Sequence, residues 1–428
     1  MKHTDIIQKL NLEQKCALLS GETVFTTRAL PGKGIPAITL SDGPNGVRKQ
    51  AGAADHLGLN PSVPATCFPT SSATACSWDE KLGEAVGEAL GEEAAAQEVA
   101  VLLGPGLNIQ RSPLCGRDFE YFSEDPILAG RMAAAYVRGI QKNGISACPK
   151  HFAVNSQELR RMASDSVLDE RTLRELYLTG FEIVVKEAKP KTIMTSYNLI
   201  NGTYANENAH LLQDILRKDW GFDGAVVTDW GGSNDHALGV KNGSTLEMPC
   251  PGGDSIRELM KAVQDGKISE ADVDARLDEM LELVLSTHAA VEKAPRTFDA
   301  AAHHKLARRA AAESIVLLKN EGGILPLKPN EKLAVIGDFA ETPRYQGAGS
   351  SAVNALQVDT LLDSIKADDS GITLVGYASG FERQGAADAE KLEEAVALAK
   401  KADTVLLCLG LDELRESEGL DRSDMKLA

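Results

Sequence analysis

The segment GAVVTDWGGSNDH, residues 224–236, joins a short apolar run to a cluster of polar and aromatic residues. The three residues after Gly224 are typical of a buried strand, and Asp229 and Trp230 follow one threonine later. A buried carboxylate is costly unless it is paired, hydrogen-bonded or used in chemistry. Asp229 therefore has two interpretations: the N-cap of a following helix, or a functional group at the end of a strand.

Segments on both sides of this stretch alternate between strand-like and helix-like patterns. VLLGPGLNI, ISACPKHFAV and KTIMTSYNLING are strand-like, whereas KLGEAVGEALGEEAAAQEVA and LDERTLRELYLTGFEIVVKEA have helical spacing. Such alternation predicts parallel strands with helical crossovers, in either a barrel or an open sheet. Polar clusters follow the strands in SDGPNG, KHFAVN, SYNLING and TDWGGS. Both folds bind ligands at that edge, so periodicity alone does not choose between them.

A second α/β run supplies the strand-like segments KLAVIGD, TLVGYAS and TVLLCLG. We therefore expect a first domain over residues 1–290, a linker and connecting helix over 291–325, and a second domain over 326–428. Parallel sheets are normally covered on both faces. Three strands leave such a sheet unfinished, so we expect the second domain to be incomplete.

Composition restricts the class of protein. The chain has 428 residues and a formal net charge of −17, and it lacks a Lys/Arg-rich run, which disfavours nucleic acid or an anionic membrane as partner. The N-terminal segment MKHTDIIQKLNLEQK lacks the apolar core of a signal peptide. Widely spaced cysteines without a C-x-x-C pair indicate free thiols and a cytoplasmic location. The seven cysteines are Cys16, Cys67, Cys76, Cys115, Cys148, Cys250 and Cys408.

Three further stretches carry candidate chemistry. In PKHFAVN, Lys150 and His151 are either a surface lysine beside a core histidine or a pair of donors for substrate hydroxyls. The segment NIQRSPLCGRDFEYFSEDP mixes charges with aromatic rings, which suits either a solvated ion-pair loop or sugar binding. ESEGLDRSD contains Glu416 and Glu418 and is either an exposed acidic loop or part of a site. No H-E-x-x-H motif, G-x-S-x-G motif or Cys/His cluster occurs, so the sequence predicts neither a metal site nor serine esterase chemistry. Paired carboxylates, as used in glycoside cleavage, are the remaining candidates.

Taken together, the motifs resemble a known family. SDGPNGVR, NIQRSPLCGRDFEYFSEDP, KHFAVN, MTSYNLING, GFDGAVVTDWGG and ESEGLDR occur in that order, from about Leu10 onward. This arrangement closely resembles glycoside hydrolase family 3, the β-glucosidase-like family. The resemblance implies an α/β fold, with a (β/α)8-type barrel followed by an α/β sandwich domain that is incomplete here. It also implies a site between the domains and a retaining double displacement without a cofactor.

The resemblance also implies roles for individual residues. Asp229 matches the nucleophile, and Glu418 matches the acid/base, with Glu416 as the alternative. Asp42 matches a residue that binds sugar hydroxyls, Tyr197 a neighbour of the nucleophile, and Trp230 a pocket wall. The residues that resemble the remaining hydroxyl contacts are Arg117, Lys150, His151, Arg161 and Ser350.

Two departures from the family pattern bear on function. AVNSQELRR stands where the N-acetylglucosaminidase branch carries a His/Asp pair, which argues against that branch. Members of the β-glucosidase type also continue beyond the position matched by Ala428, so we expect a fragment, a truncated gene product or one chain of a split enzyme.

The expected substrate is a small oligosaccharide or an aryl or alkyl β-glycoside, above all a β-D-glucoside. β-Xylosidase or β-galactosidase specificity remains open, as do a catalytically impaired sugar-binding protein and an aldolase-like barrel with a Lys150 Schiff base. Exposed sheet edges would allow a homo-oligomer or a complementing C-terminal chain.

Overall fold

The computed structural model describes residues 1–52, 60–249, 252–384 and 386–427. Five short parallel strands form the centre of the first domain. They are β1 (Leu40–Asp42), β2 (Val101–Leu103), β3 (Ser146–Ala147), β4 (Thr192–Met194) and β5 (Ala225–Val227). Every residue of β2 to β5 is buried, as expected for strands that have packed side chains on both faces.

These strands lie in a closed ring. β1 pairs with β2 and β2 with β3, while β4 pairs with β5. Single bridges complete the ring. Three are parallel and join Phe152 to Thr195, Val227 to Leu246, and Ser20 to Glu247. Two are antiparallel and join Gly21 to Thr27 and Thr26 to Thr39. The closed ring agrees with the predicted barrel, although bridges rather than regular strands form part of its circumference.

Helices surround the ring. Two of the longest, Glu80–Ala96 and Pro126–Gln141, pack against each other, and each begins at an aspartate that accepts backbone N–H groups. The other helical segments of this domain are Thr4–Ile7, Leu12–Ala17, Ser71–Ala75, Glu170–Thr172, Leu173–Tyr177, Thr179–Ile183, Val184–Ala188, His210–Asp219, His236–Asn242 and Asp254–Gln264. Single helical turns occupy Pro31–Lys33, Asp118–Glu120 and Ala205–Glu207, and short strands outside the ring occupy Asp165–Ser166, Leu199–Ile200 and Thr203–Tyr204.

A long helix, Glu270–Lys293, closes the first domain and extends past residue 290, the position at which we expect that domain to end. Its last turn contains Val291, which is buried, so packing continues the helix into the segment assigned to the linker. The connecting helix is Ala300–Glu313, which starts at Asp299 and contains many alanines, the strongest helix formers.

The second domain contains three parallel strands in the spatial order β7, β6, β8. They are β6 (Lys332–Ile336), β7 (Thr373–Ala378) and β8 (Thr404–Leu407), with helices Leu361–Lys366 and Ala389–Ala399 and the single turn Asp338–Ala340. A further single turn, Glu321–Gly323, lies in the preceding linker. Val405 and Leu407 of β8 are 40% and 58% exposed, so one face of this edge strand is not covered by the described residues. The domain contacts the barrel domain through a parallel bridge between Ala65 and Ala355.

Six cysteines are free thiols, namely Cys16, Cys67, Cys76, Cys115, Cys148 and Cys408. The seventh, Cys250, lies outside the described residues. Within the part of the chain that the structure describes, no helix has both the length and the apolarity to cross a bilayer.

Candidate active site

A cavity of about 310 Å³ lies at the carboxyl ends of the barrel strands, against the second domain. All ten residues that the sequence predicts for the site line it. They are Asp42, Arg117, Lys150, His151, Arg161, Tyr197, Asp229, Trp230, Ser350 and Glu418. The barrel supplies eight of them, and the second domain supplies Ser350 and Glu418.

Asp229 lies two residues after β5 and is not a helix cap. The following helix, His236–Asn242, is capped instead by Asp235, which accepts the N–H of Leu238. Asp229 Oδ1 accepts the N–H of Trp230 at 2.8 Å. The other oxygen, Oδ2, is buried and has no hydrogen-bond donor among the described residues. One oxygen of the carboxylate is therefore fixed, and the other remains available to a ligand in the cavity.

The ring of His151 lies beside Asp229, with its Nε2 3.6 Å from Asp229 Oδ2. Burial and three neighbouring cations lower the pKa of His151 well below its usual value. The imidazole is therefore neutral at neutral pH. Burial raises the pKa of Asp229 above its ordinary value, although the same cations oppose this shift.

Lys150 and His151 both line the cavity, although residues that alternate along a strand point to opposite faces. The segment is not a regular strand, because it forms only single bridges, at Lys150 and Phe152. Lys150 Nζ lies 3.4 Å from Glu120 Oε1. Lys150 is thus a buried residue of the cavity wall and not a surface lysine.

Glu120 also holds Arg117. The Nε of Arg117 donates to Glu120 Oε2 at 2.7 Å, and both side chains are almost fully buried. A fully buried carboxylate between two cations fixes their positions, because each of these charges would be costly to bury alone. Arg117 and Lys150 consequently reach the cavity as pre-oriented donors.

Arg161 connects the two domains inside the cavity. Its Nη1 donates to Glu158 Oε2 at 2.8 Å and to Glu418 Oε1 at 2.9 Å. Its guanidinium group lies over the ring of Tyr197, 4.8 Å from the centroid, in cation–π contact. The hydroxyl of Tyr197 donates to the carbonyl oxygen of Trp230 at 2.9 Å, which places the ring beside the residue that follows Asp229.

Glu418 enters the cavity on a loop of the second domain. Its Oε2 accepts the backbone N–H of Ser350 at 2.7 Å, and its Oε1 lies 3.5 Å from Arg117 Nη1. Burial disfavours the ionised carboxylate, but the two arginines and the Ser350 N–H outweigh it and hold the pKa of Glu418 well below its usual range. The alternative, Glu416, lies outside this cavity and pairs with Arg344 at 2.7 Å.

The remaining walls are polar on one side and aromatic on the other. Burial raises the pKa of Asp42 to about 6, so this carboxyl group titrates near neutral pH. Trp230 donates through its indole N–H to the Val24 carbonyl oxygen at 2.8 Å. Its ring lies 5.3 Å from that of Phe25, measured between centroids. The indole is thus fixed as a wall against which the apolar face of a ring can pack.

Three residues that hold the cavity side chains in place were not predicted from the sequence. Glu120 and Glu158 orient the arginines, and Phe25 supports Trp230. Glu120 lies in the charged loop for which the sequence left two interpretations open, a solvated loop or a sugar-binding one. The sugar-binding interpretation could have identified it. Phe25 belongs to a segment without any motif, and only its place in the fold reveals it.

A barrel beside an α/β domain, with a carboxylate-lined cavity between them, is the arrangement that the motifs predicted for a glycoside hydrolase. The chain belongs to glycosyl hydrolase family 3: the model of the family's N-terminal domain matches residues 53–283, and the model of its C-terminal domain matches residues 315–428. The family and fold class predicted from the motifs are therefore confirmed.

Individual relatives agree with this membership. The chain is 46% identical over 426 residues to thermostable β-glucosidase B of Acetivibrio thermocellus, covering 99% of this chain and 56% of that protein. It is 44% identical to an exo-α-(1→6)-L-arabinopyranosidase of Bifidobacterium longum, covering 98% of this chain and 56% of that protein. The chain thus spans little more than half the length of these relatives.

Solved structures show the same fold. The β-glucosidase of Bifidobacterium adolescentis superimposes with a TM-score of 0.92 at 42% identity, over 99% of this chain and 60% of that one. β-Glucosidase 3B of Thermotoga neapolitana, solved in complex with glucose, superimposes with a TM-score of 0.87 at 33% identity, over 100% of this chain and 64% of that one.

Proposed function

We propose that this protein hydrolyses terminal non-reducing β-D-glycosyl residues, above all β-D-glucosyl residues, by a retaining double displacement. The observation that carries the proposal is the free, buried Oδ2 of Asp229 in a cavity that Glu418 enters from the other domain. A retaining glycosidase needs one carboxylate as nucleophile and a second as acid and then base.

The nucleophilic step falls to Asp229. Its Oδ1 is held by the Trp230 N–H, so Oδ2 can attack the anomeric carbon without losing a hydrogen bond. Neutral His151 and the cations of Lys150 and Arg117 are placed to bind sugar hydroxyls, and Trp230 to pack against the sugar ring. Asp42 offers carboxylate acceptors for hydroxyl groups.

The acid role of Glu418 requires a change in its contacts. An acid must be protonated, whereas Arg161, Arg117 and Ser350 keep this carboxylate ionised. The shifts of the two carboxyl groups are thus opposite to those that the predicted roles require. We infer that substrate hydroxyls replace Glu418 on the arginines, which removes the charges that stabilise its ionised form and raises its pKa.

Hydrolysis of a panel of aryl glycosides tests the reaction and the sugar. The panel contains β-D-glucoside, β-D-xyloside, β-D-galactoside and, because of the 44% identical relative, α-L-arabinopyranoside. Proton NMR should detect the product first with the anomeric configuration of the substrate. Initial release of the opposite anomer would exclude a retaining mechanism. Glucose binding without turnover of any glycoside would favour the sugar-binding alternative.

The proposal includes a partner for the second domain. Exposed apolar side chains occur on β8 and also at Ile315, Val316, Leu317 and Leu318, which are between 55% and 91% exposed. The relatives carry further polypeptide outside the part matched here, so the occupant we propose is polypeptide equivalent to that part rather than a second copy of this chain. Light scattering of the chain alone should then give a monomer, and a stable dimer would favour self-association.

We also propose a cytoplasmic location, which the six free thiols support because a reducing compartment keeps thiols unpaired. Fractionation of the source cells with an antibody against this chain tests that location. Detection in the culture medium would contradict it.

A further inference from the structure

We propose that Asp421 is a positioning residue for Glu418: its carboxylate fastens the loop of the second domain to the barrel and so places the acid in the cavity. This inference rests on the proposed function. Glu418 contacts the cavity directly, whereas Asp421 lies three residues later and is absent from its walls.

The Asp421 carboxylate accepts three backbone N–H groups of the barrel domain. Its Oδ1 lies 3.2 Å from Gly116 N and 2.9 Å from Glu158 N. Its Oδ2 lies 2.9 Å from Leu159 N and 3.1 Å from Glu158 N. Converging backbone N–H groups form a strong site for a carboxylate, because charge-assisted hydrogen bonds are stronger than neutral ones.

Further contacts fix the residues around Glu418 to the same surface. Gly419 donates its N–H to Glu158 Oε2 at 2.9 Å, and Arg422 donates its N–H to the Leu114 carbonyl oxygen at 2.7 Å. The backbone is thereby bound to the barrel immediately after Glu418 and again beyond Asp421. Two of these contacts have a carboxylate acceptor, and Asp421 supplies the one that accepts several barrel N–H groups, over four N to O distances of 2.9 to 3.2 Å.

Gly116 allows this close approach. A side-chain carbon at residue 116 would overlap the carbonyl oxygens of Ser417 and Leu420, which flank Glu418 and Gly419. The barrel loop and the Glu418 loop therefore meet backbone to backbone. Without such contact, the Gly116 N–H could not reach Asp421.

Glu158 links this attachment to the arginines of the cavity. Its backbone N–H contacts Asp421, while its Oε2 accepts from both Arg161 and the Gly419 N–H. Loss of Asp421 should therefore displace the acid relative to Arg161. Displacements of about 1 Å can lower a rate by roughly 10²-fold.

The test compares Asp421→Ala and Asp421→Asn with Asp424→Asn. Asp424 is exposed, and its side chain accepts only the local N–H of Lys426 among the contacts described. The substrates are 2,4-dinitrophenyl β-glucoside, which needs little acid assistance, and methyl β-glucoside, which needs full protonation.

We expect Asp421→Ala to lower kcat/KM for the methyl glucoside by on the order of 10²-fold, with the dinitrophenyl glucoside affected only several-fold. Asp421→Asn keeps one acceptor oxygen, so its kcat/KM for the methyl glucoside should lie between those of Asp421→Ala and the unaltered protein. Asp424→Asn should match the unaltered protein. Equal losses on both substrates, or no loss on either, would overturn the inference.

Hydrogen exchange provides a readout that does not depend on turnover. The amides of Glu158 and Leu159 should exchange faster in Asp421→Ala than in Asp424→Asn, while the helix Glu80–Ala96 stays protected. Retained protection of both amides would overturn the inference even if the protein cleaves no glycoside. Absence of turnover in the unaltered protein would instead contradict the proposed function.

Discussion

Arg161 Nη1 lies 2.9 Å from Glu418 Oε1 and 2.8 Å from Glu158 Oε2, so one nitrogen joins a carboxylate of the second domain to one of the barrel. The same guanidinium group packs over Tyr197 beside the Asp229 segment. The charge of Glu418 raises the pKa of Asp229, and the interaction of two such sites is reciprocal, so the ionisation of these two carboxyl groups is coupled. This coupling allows the assigned roles to be tested through pH as well as through rate.

Replacement of Asp229 should separate activity from stability. Asp229→Asn removes the nucleophile and should lower kcat by on the order of 10⁴-fold or more. Since burial raises the pKa of Asp229, the neutral amide should keep or increase the melting temperature at pH 7. Activity assays and thermal unfolding of the same preparation measure both effects. Asp235→Asn, which alters the neighbouring helix cap, is the control for activity.

Azide should restore part of the turnover of Asp229→Ala with an activated aryl glycoside, because a small anion can occupy the place of the lost carboxylate. Activity equal to that of the unaltered protein would remove Asp229 from the mechanism. If the variant is folded but azide restores no turnover, the assignment of Asp229 as the nucleophile rests on its loss of rate alone.

Glu418→Gln should shift the acid limb of the pH profile to lower pH. The negative charge of Glu418 raises the pKa of Asp229, and its removal also leaves Arg161 and Arg117 to stabilise the Asp229 carboxylate. The nucleophile must be ionised, so kcat/KM for a dinitrophenyl glycoside should be retained to lower pH. Glu416→Gln is the matched control, because Glu416 pairs with Arg344 outside the cavity. An unchanged or upward-shifted acid limb in Glu418→Gln would contradict the coupling.

Asp118 should make the folded protein less stable as pH rises. Burial, and then the charges of Glu416 and Asp421, raise the pKa of Asp118 to about 7. Its ordinary value is about 3.9, so the folded state binds the proton more tightly and stability is lost between about pH 4 and 7. Asp118→Asn abolishes this loss and should be more stable at pH 8, by on the order of 1–2 kcal/mol after screening.

Denaturant unfolding at pH 4, 6 and 8 measures the effect, and the advantage of Asp118→Asn should grow between the first and last values. The Oδ1 of Asp118 is buried without a hydrogen-bond partner among the described residues, which is consistent with this sign. An advantage that is constant across this range would show that the carboxyl group titrates normally.

The residues that line the cavity are easier to find from the sequence than the residues that hold them in place. Asp229, Lys150 and His151 lie in short contiguous motifs, so their proximity follows from the order of strands in a barrel. The contact of Glu158 with Asp421 joins residues 263 positions apart and uses a backbone N–H, which leaves no mark in composition or spacing. The closure of the ring by single bridges was equally hidden, because one-residue pairings lack the periodicity of a strand.

Gly349→Ala tests whether the Ser350 loop must approach Glu418 closely. Gly349 has a φ of +106°, and an added side-chain carbon would lie 2.7 Å from Glu418 Oε2. The alanine should therefore displace the acid and lower kcat/KM for alkyl glycosides much more than for dinitrophenyl glycosides.

Gly202→Ala is the matched control, because Gly202 has a φ of +84° but open space around it. Both variants should lose about 1–2 kcal/mol of stability through backbone strain, so a leaving-group effect confined to Gly349→Ala would identify contact with Glu418 as its cause. Equal leaving-group profiles for the two variants would show that the loop adjusts without moving the acid.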